Sequence, residues 1–136
     1  MEPDEINVFL GQEDPALVGV VATTRADGAP HVVPVWYRWD GLDVRVWTDE
    51  KRLWVRNLRR DPRIAFSVQE TKPPFGAVTM RGQAELRTAD ADDEIRRITR
   101  RYLAEDELDG YLAEWSHLRS IVCIRPATIR AWNRGY

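Results

Sequence analysis

The chain has 136 residues, 43% of them hydrophobic and 31% charged, with a formal net charge of -2. That length fits one domain, residues 1–136, with a real core, and the near-neutral balance gives no electrostatic basis for a nucleic acid or an anionic membrane as partner. No run approaches the ~18 apolar residues of a membrane span. The acidic start MEPDEINVFLGQED lacks a signal peptide's basic head and apolar run, so a cytoplasmic location is expected.

Asp4 is placed to cap a short helix over Glu5 to Leu10, with Ile6, Phe9 and Leu10 on one face. Leu17 to Thr24 is mostly apolar and rich in β-branched residues, and reads as a strand buried on both faces. Asp27-Gly28 supplies the positive φ of a tight turn. Pro30 to Trp39 follows as a second strand and Asp40-Gly41 as a second turn. Leu42, Val44, Val46 and Thr48 then alternate with Asp43, Arg45 and Trp47, the period of a third strand.

Lys51 to Arg60 reads as a helix with Leu53, Trp54 and Leu58 on one side. It stops before Pro62, because the residue preceding proline avoids helical angles. Ile64, Phe66 and Val68 mark a fourth strand. Val78, Met80, Gly82, Ala84 and Leu86 form one face of a fifth. Thr88 or Asp90 caps a helix whose apolar face is Ile95, Ile98, Tyr102 and Leu103, and Leu108 to Trp115 forms another. Leu118 to Ile124 is a sixth strand, interrupted by Pro126, with a short last strand over Thr128 to Trp132. Short strands, tight turns and inserted helices indicate a mainly β fold, a small barrel rather than a parallel βαβ sheet.

Pro34 stands in the middle of the second strand. Proline cannot donate to a sheet ladder, so the position is an edge, a bulge or a gap that leaves backbone groups of Val33, Val35 and Trp36 free for a ligand. Thr48 precedes a helix start carrying Lys51 and Arg52. A hydroxyl, free N–H groups and two cations suit a phosphate. Asp49 and Glu50 can instead cap that helix and complement its dipole. Lys51, Arg52, Arg56, Arg59, Arg60 and Arg63 form the densest positive region, which fits either a solvated face or the holder of a polyanionic tail. His31 and His117 are isolated and lack metal-ligand spacing. The single cysteine, Cys123, excludes an internal disulfide and reads as an inert buried strand thiol. No serine sits in a G-x-S-x-G context, and the sequence shows neither a glycine-rich phosphate loop nor a paired-carboxylate signature, so any chemistry is expected to come from a cofactor.

The segments VVATTRADGAPHVVPVWY, DVRVWT, RNLRRDPR and VTMRGQAEL together resemble the flavin-binding split barrels of the pyridoxamine phosphate oxidase-like class. The chain is most similar to the small deazaflavin (coenzyme F420)-dependent oxidoreductases of that class. The resemblance implies a six-stranded, Greek-key split barrel that dimerises, with two sites for coenzyme F420 or FMN at the dimer interface. The excess of aromatic residues, six of them tryptophan, suits an interface as well. By carry-over, Val33, Pro34, Val35, Trp36, Tyr37 and Arg38 line the ring, while Trp47 and Thr48 approach the ribityl and phosphate end.

The family's basic residues five and six positions after that threonine are Leu53 and Trp54 here, and Lys51 and Arg52 stand one turn earlier. Trp54-Val55-Arg56-Asn57-Leu58 resembles the W-x-x-N-L motif of deazaflavin nitroreductases, which adds Arg56 and Asn57 and favours a cofactor with an acidic tail. The resemblance implies hydride transfer to or from a small unsaturated substrate, with Trp36, Trp39 and Trp47 as aromatic walls and Tyr37 or a water as proton donor. A non-catalytic FMN- or haem-binding carrier, sensor or store is the alternative, and a barrel without cofactor a third.

Overall fold

The computed structural model describes residues 1–89, 91–117 and 119–136, which leaves Asp90 as a cap and Leu118 as a strand start outside the described residues. One curled antiparallel sheet runs through the chain in the order β2-β1-β5-β6-β7-β4-β3. Its strands are β1 (Gly19–Thr24), β2 (Pro30–Val35), β3 (Arg38–Trp39), β4 (Val44–Thr48), β5 (Arg63–Gln69), β6 (Ala77–Arg87) and β7 (Ser120–Trp132). The helices are α1 (Pro3–Gly11), α2 (Leu53–Arg60), α3 (Ala91–Thr99) and α4 (Glu105–Glu114). Among the described residues no helix is long and apolar enough to cross a membrane.

The architecture is the expected split barrel, with seven strands instead of six. The expected second strand breaks at Trp36-Tyr37 into β2 and β3, which lie at opposite edges of the sheet. The expected last two pieces are one strand, β7, because a bulge carries it past Pro126. Arg81 faces Thr128 and Gly82 faces Pro126, so Ala127 has no partner and the missing proline N–H falls at an irregularity. α1 begins with Pro3 at its first turn. Glu2, not Asp4, is the capping residue, and the Glu2 N–H donates to the Glu5 carboxylate at 3.2 Å.

The main core fills the concave side. Val21, Phe66, Val78 and Ile124 meet Leu10 of α1 and Trp54 and Val55 of α2 there. A second cluster forms on the opposite face of β7, where Ile121 and Cys123 pack against Ile95 and Ile98 of α3. β7 therefore starts as a strand buried on both faces. β1 does not: Val20 is 38% exposed and lies beside Val32 of β2, 64% exposed. An apolar run predicts two-sided burial, but the outer face of β1 is uncovered. Leu42 is also exposed, since β4 starts only at Val44 and the buried neighbour is Asp43, paired with Arg125. Cys123 is buried as expected, and burial pushes its thiol pKa up.

Gly82 is required by this geometry. A Cβ there would fall onto the backbone carbonyl of Arg125 at the β6–β7 bulge, where no flexible side chain can yield. Gly82→Ala is therefore expected to destabilise the fold by about 1–3 kcal/mol, the usual cost of forced overpacking. Urea denaturation measures this, and an unchanged midpoint would contradict the close approach.

Candidate functional site

β2 runs out along one edge of the sheet, and the chain crosses through Trp36 and Tyr37 to β3 at the other edge. The sheet is thus joined there by covalent chain rather than by a ladder. Beside this crossing lies a cavity of about 300 Å³. Val33, Pro34, Val35 and Trp36 line it from β2 and the crossing, and Val46, Trp47 and Thr48 from the end of β4. Arg52 and Trp54 contribute from the start of α2, and Tyr111 and Trp115 from α4. Pro34 sits on an edge strand, so its missing N–H breaks no interior ladder, and the same edge borders the cavity.

The wall is largely aromatic. Trp36 stacks on Tyr111 with centroids 5.3 Å apart and planes 29° apart, and Trp47 meets Tyr111 edge-on at 6.3 Å. Tyr111 and Trp115 are neighbours on α4 at 6.2 Å. Burial raises the Tyr111 pKa, so its hydroxyl stays neutral at physiological pH.

One end is polar and unsatisfied. Thr48 is 2% exposed, yet its Oγ1 is buried without a hydrogen-bond partner among the described residues. Such a hydroxyl costs free energy unless something bonds to it. α2 also starts without a side-chain cap, at Arg52. The acidic pair does not cap it: Asp49 accepts the Lys51 N–H at 2.7 Å, and Glu50 pairs with Arg59 at 2.7 Å. An orphan hydroxyl, Arg52 and an uncapped helix start therefore share one end of an apolar cavity. That donor set fits a flat ring carrying an anionic group.

The structure brings together Val33, Pro34, Val35, Trp36, Trp47, Thr48 and Arg52 from the sequence-predicted set. Five others lie away from this cavity. Tyr37 is fully buried and its hydroxyl donates to the Leu10 carbonyl at 2.7 Å, which leaves it no path to a ligand as proton donor. Arg38 makes a bidentate pair with Glu94, both bonds at 2.6 Å, and ties β3 to α3. Lys51 is exposed at the turn before α2. Arg56 and Asn57 border a separate cleft of about 360 Å³ with Arg25 and Arg60. Asn57 is itself buried there and donates to Thr23 Oγ1 at 3.0 Å, and Arg60 donates to the Thr24 carbonyl. Trp39, expected as a ring wall, instead packs against the main core and donates its indole N–H to Asn7 at 2.8 Å.

Sequence reasoning missed Val18, Val46, Trp54, Tyr111 and Trp115 as lining residues. The spacing of Tyr111 and Trp115, one helical turn apart, was the available signal for an aromatic face on α4. Among the described residues no group of His, Cys, Asp and Glu could hold a metal ion.

The chain belongs to the pyridoxamine 5'-phosphate oxidase family, whose sequence profile it matches over residues 3–133. It is similar to a conserved hypothetical protein from Mycobacterium tuberculosis at 26% identity and a TM-score of 0.75, covering 97% of this chain and 84% of that one. It is also similar to an F420 reductase at 30% identity and a TM-score of 0.69, covering 84% and 89% of the two chains. A haem-binding protein from Mycobacterium smegmatis shares the fold at 21% identity and a TM-score of 0.62, covering 87% of this chain and 49% of that one.

Two expectations follow from the geometry. Thr48→Val removes a hydroxyl that no group among the described residues satisfies, so the ligand-free variant should be as stable as wild type or more so. The same variant should bind a phosphate-bearing ring ligand about tenfold more weakly. Calorimetric unfolding and a fluorescence titration with FMN measure the two effects, and a clear loss of stability would show that Thr48 is already satisfied.

The second concerns Tyr37, whose pKa burial pushes up to about 12, against the nearby charge of Arg101. A raised folded pKa gives stability that is complete below the unfolded value near 10 and is lost as pH rises through 12, a swing of about 3 kcal/mol. Stability measured from pH 9 to 12 should therefore fall in wild type, and less steeply in Tyr37→Phe.

Proposed function

We propose that the protein is an oxidoreductase that binds coenzyme F420 or FMN in the aromatic cavity and moves a hydride to or from a small unsaturated organic molecule. The observation that carries this reading is the buried, unpartnered Thr48 hydroxyl beside Arg52 at one end of a wall of rings. Val33 to Trp36 would border the ring. Trp47, Trp54, Tyr111 and Trp115 would exclude water from its faces, and Thr48, Arg52 and the start of α2 would meet its phosphate. The bound ring would supply the hydride chemistry, and the protein supplies position and a dry environment. The 30% identity with an F420 reductase supports a deazaflavin over FMN.

The cleft bordered by Arg25, Arg56 and Arg60 supports the same preference, because it offers cations for an acidic tail that FMN lacks. Among the described residues the cavity lining holds no His, Met or Cys, and burial keeps its tyrosine, Tyr111, from the phenolate form that binds haem iron, which suits a flavin better.

We also read the protein as a cytoplasmic homodimer. The outer sheet face carries a depression of about 840 Å³ bordered by Val20, Val32 and Ile129, all exposed in the single chain, and a second copy would cover it.

Dissociation constants for FMN and coenzyme F420 test the reading. Arg52→Ala should weaken both at least about tenfold, since a charge-assisted contact to phosphate contributes roughly 1.5–3 kcal/mol. Arg56→Gln with Arg60→Gln should weaken only the deazaflavin, and its affinity should fall as salt rises. Tighter binding of FMN with equal effects on both ligands would reverse the preference. A Soret band in the purified protein would favour the haem-binding alternative, and a monomeric mass by light scattering would remove the dimer.

A further inference from the structure

The crossing between β2 and β3 poses a backbone problem. Trp36 and Tyr37 lie outside both strands, so no ladder satisfies their polar groups. Side chains from the turn after α3 meet those of Tyr37. The Tyr37 N–H donates to Tyr102 Oη at 3.1 Å, and the Tyr37 carbonyl accepts from the Arg101 guanidinium. Tyr102 Oη in turn donates to the Leu17 carbonyl at 2.7 Å. Arg101 is 8% exposed, and its second terminal nitrogen donates to the carbonyls of Leu10 at 3.2 Å and Gln12 at 3.0 Å. Its guanidinium also lies over the Tyr37 ring at 4.6 Å. One buried fork thus ties the crossing to the end of α1.

The same tyrosine sets the plane of a cavity residue. Tyr102 does not line the cavity, but its ring lies flat on Trp36, 4.7 Å between centroids and 8° between planes. Trp36 is therefore held between Tyr102 and Tyr111, which lines the cavity. We infer that Tyr102, fixed by Arg101, is a positioning residue that holds Trp36 in the orientation the ring ligand meets. This rests on the reading of the cavity as a ring site. Neither residue would touch the ligand. Their effect passes through the Tyr37 backbone and the stacked indole.

The test labels the protein with 5-fluorotryptophan and assigns the Trp36 fluorine resonance by its loss in Trp36→Phe. Tyr102→Phe keeps the stacking ring and removes the hydroxyl, and Arg101→Lys keeps the charge and removes the fork. Both variants should shift or broaden the Trp36 resonance while leaving in place that of Trp132, which ends β7 opposite Ala77. Both should also raise the dissociation constants for coenzyme F420 and FMN about fivefold, the effect of a lost hydrogen bond to the crossing.

A lowered melting temperature with an unmoved Trp36 resonance and unchanged dissociation constants would overturn the proposal and leave the pair a purely structural role. If wild type binds neither ligand, the proposed function fails. The fluorine spectra then decide the positioning role alone: a moved Trp36 resonance supports it and an unmoved one overturns it.

Discussion

A strand that leaves one edge of a sheet and re-enters at the other must carry its backbone across a gap with no ladder to receive it. Here that gap is two residues long, and the structure depends on how it is bridged. A backbone N–H or carbonyl buried without a partner costs about 1–3 kcal/mol, a large part of a small domain's stability. The protein meets this demand at Tyr37 with Tyr102 and Arg101, both from a turn more than sixty residues away in sequence. Arg101 is costly to bury, and among the described residues no carboxylate stands within salt-bridge distance of it. Carbonyls of Leu10, Gln12 and Tyr37 take that place, together with the faces of two tyrosine rings. Buried charge is tolerated when its hydrogen-bonding capacity is filled in this way.

α3 serves the same gap from a second direction. Glu94, largely buried, accepts Arg38 in a bidentate pair and Arg45 at 3.2 Å, and Arg45 also reaches Asp40 at 3.0 Å. These contacts fasten the short β3 and its neighbour β4 to the helix. Arg38 drops out of the cavity lining for this reason: its guanidinium is already engaged where the chain resumes pairing. The cost of closing the barrel explains why two adjacent residues, Tyr37 and Arg38, belong to the scaffold while Trp36 belongs to the cavity.

The mainly β fold and its element order were legible because alternation, Asp-Gly turns and proline act locally. Val44, Val46 and Thr48 fall on the buried face as their period of two requires. What sequence could not supply was anything set by contacts across the sheet. The division of Pro30–Trp39 into two strands follows from sheet closure, and the continuity of β7 through Pro126 follows from a bulge that Gly82 permits. The cavity was legible where consecutive residues build it, as from Val33 to Trp36 and at Trp47-Thr48. It was hidden where α4 folds over it, since Tyr111 and Trp115 lie more than sixty residues beyond Trp47.

The departure at Leu53 and Trp54 has a physical reading in the structure. The two residues begin α2 on different sides: Trp54 adds a ring to the aromatic cavity, and Leu53 borders the arginine cleft. Moving the cation back to Arg52 places it at the helix N-cap instead of within the first turn. The first N–H groups of a helix have no partner inside it and carry its positive end. A cation just ahead of them adds to that field where Thr48 is already unsatisfied. One position in the first turn is thereby released for an apolar ring that dries the cavity. Were the cavity to take a phosphate as proposed, a drier site would strengthen the electrostatic contacts that remain, so fewer charges could hold the anion.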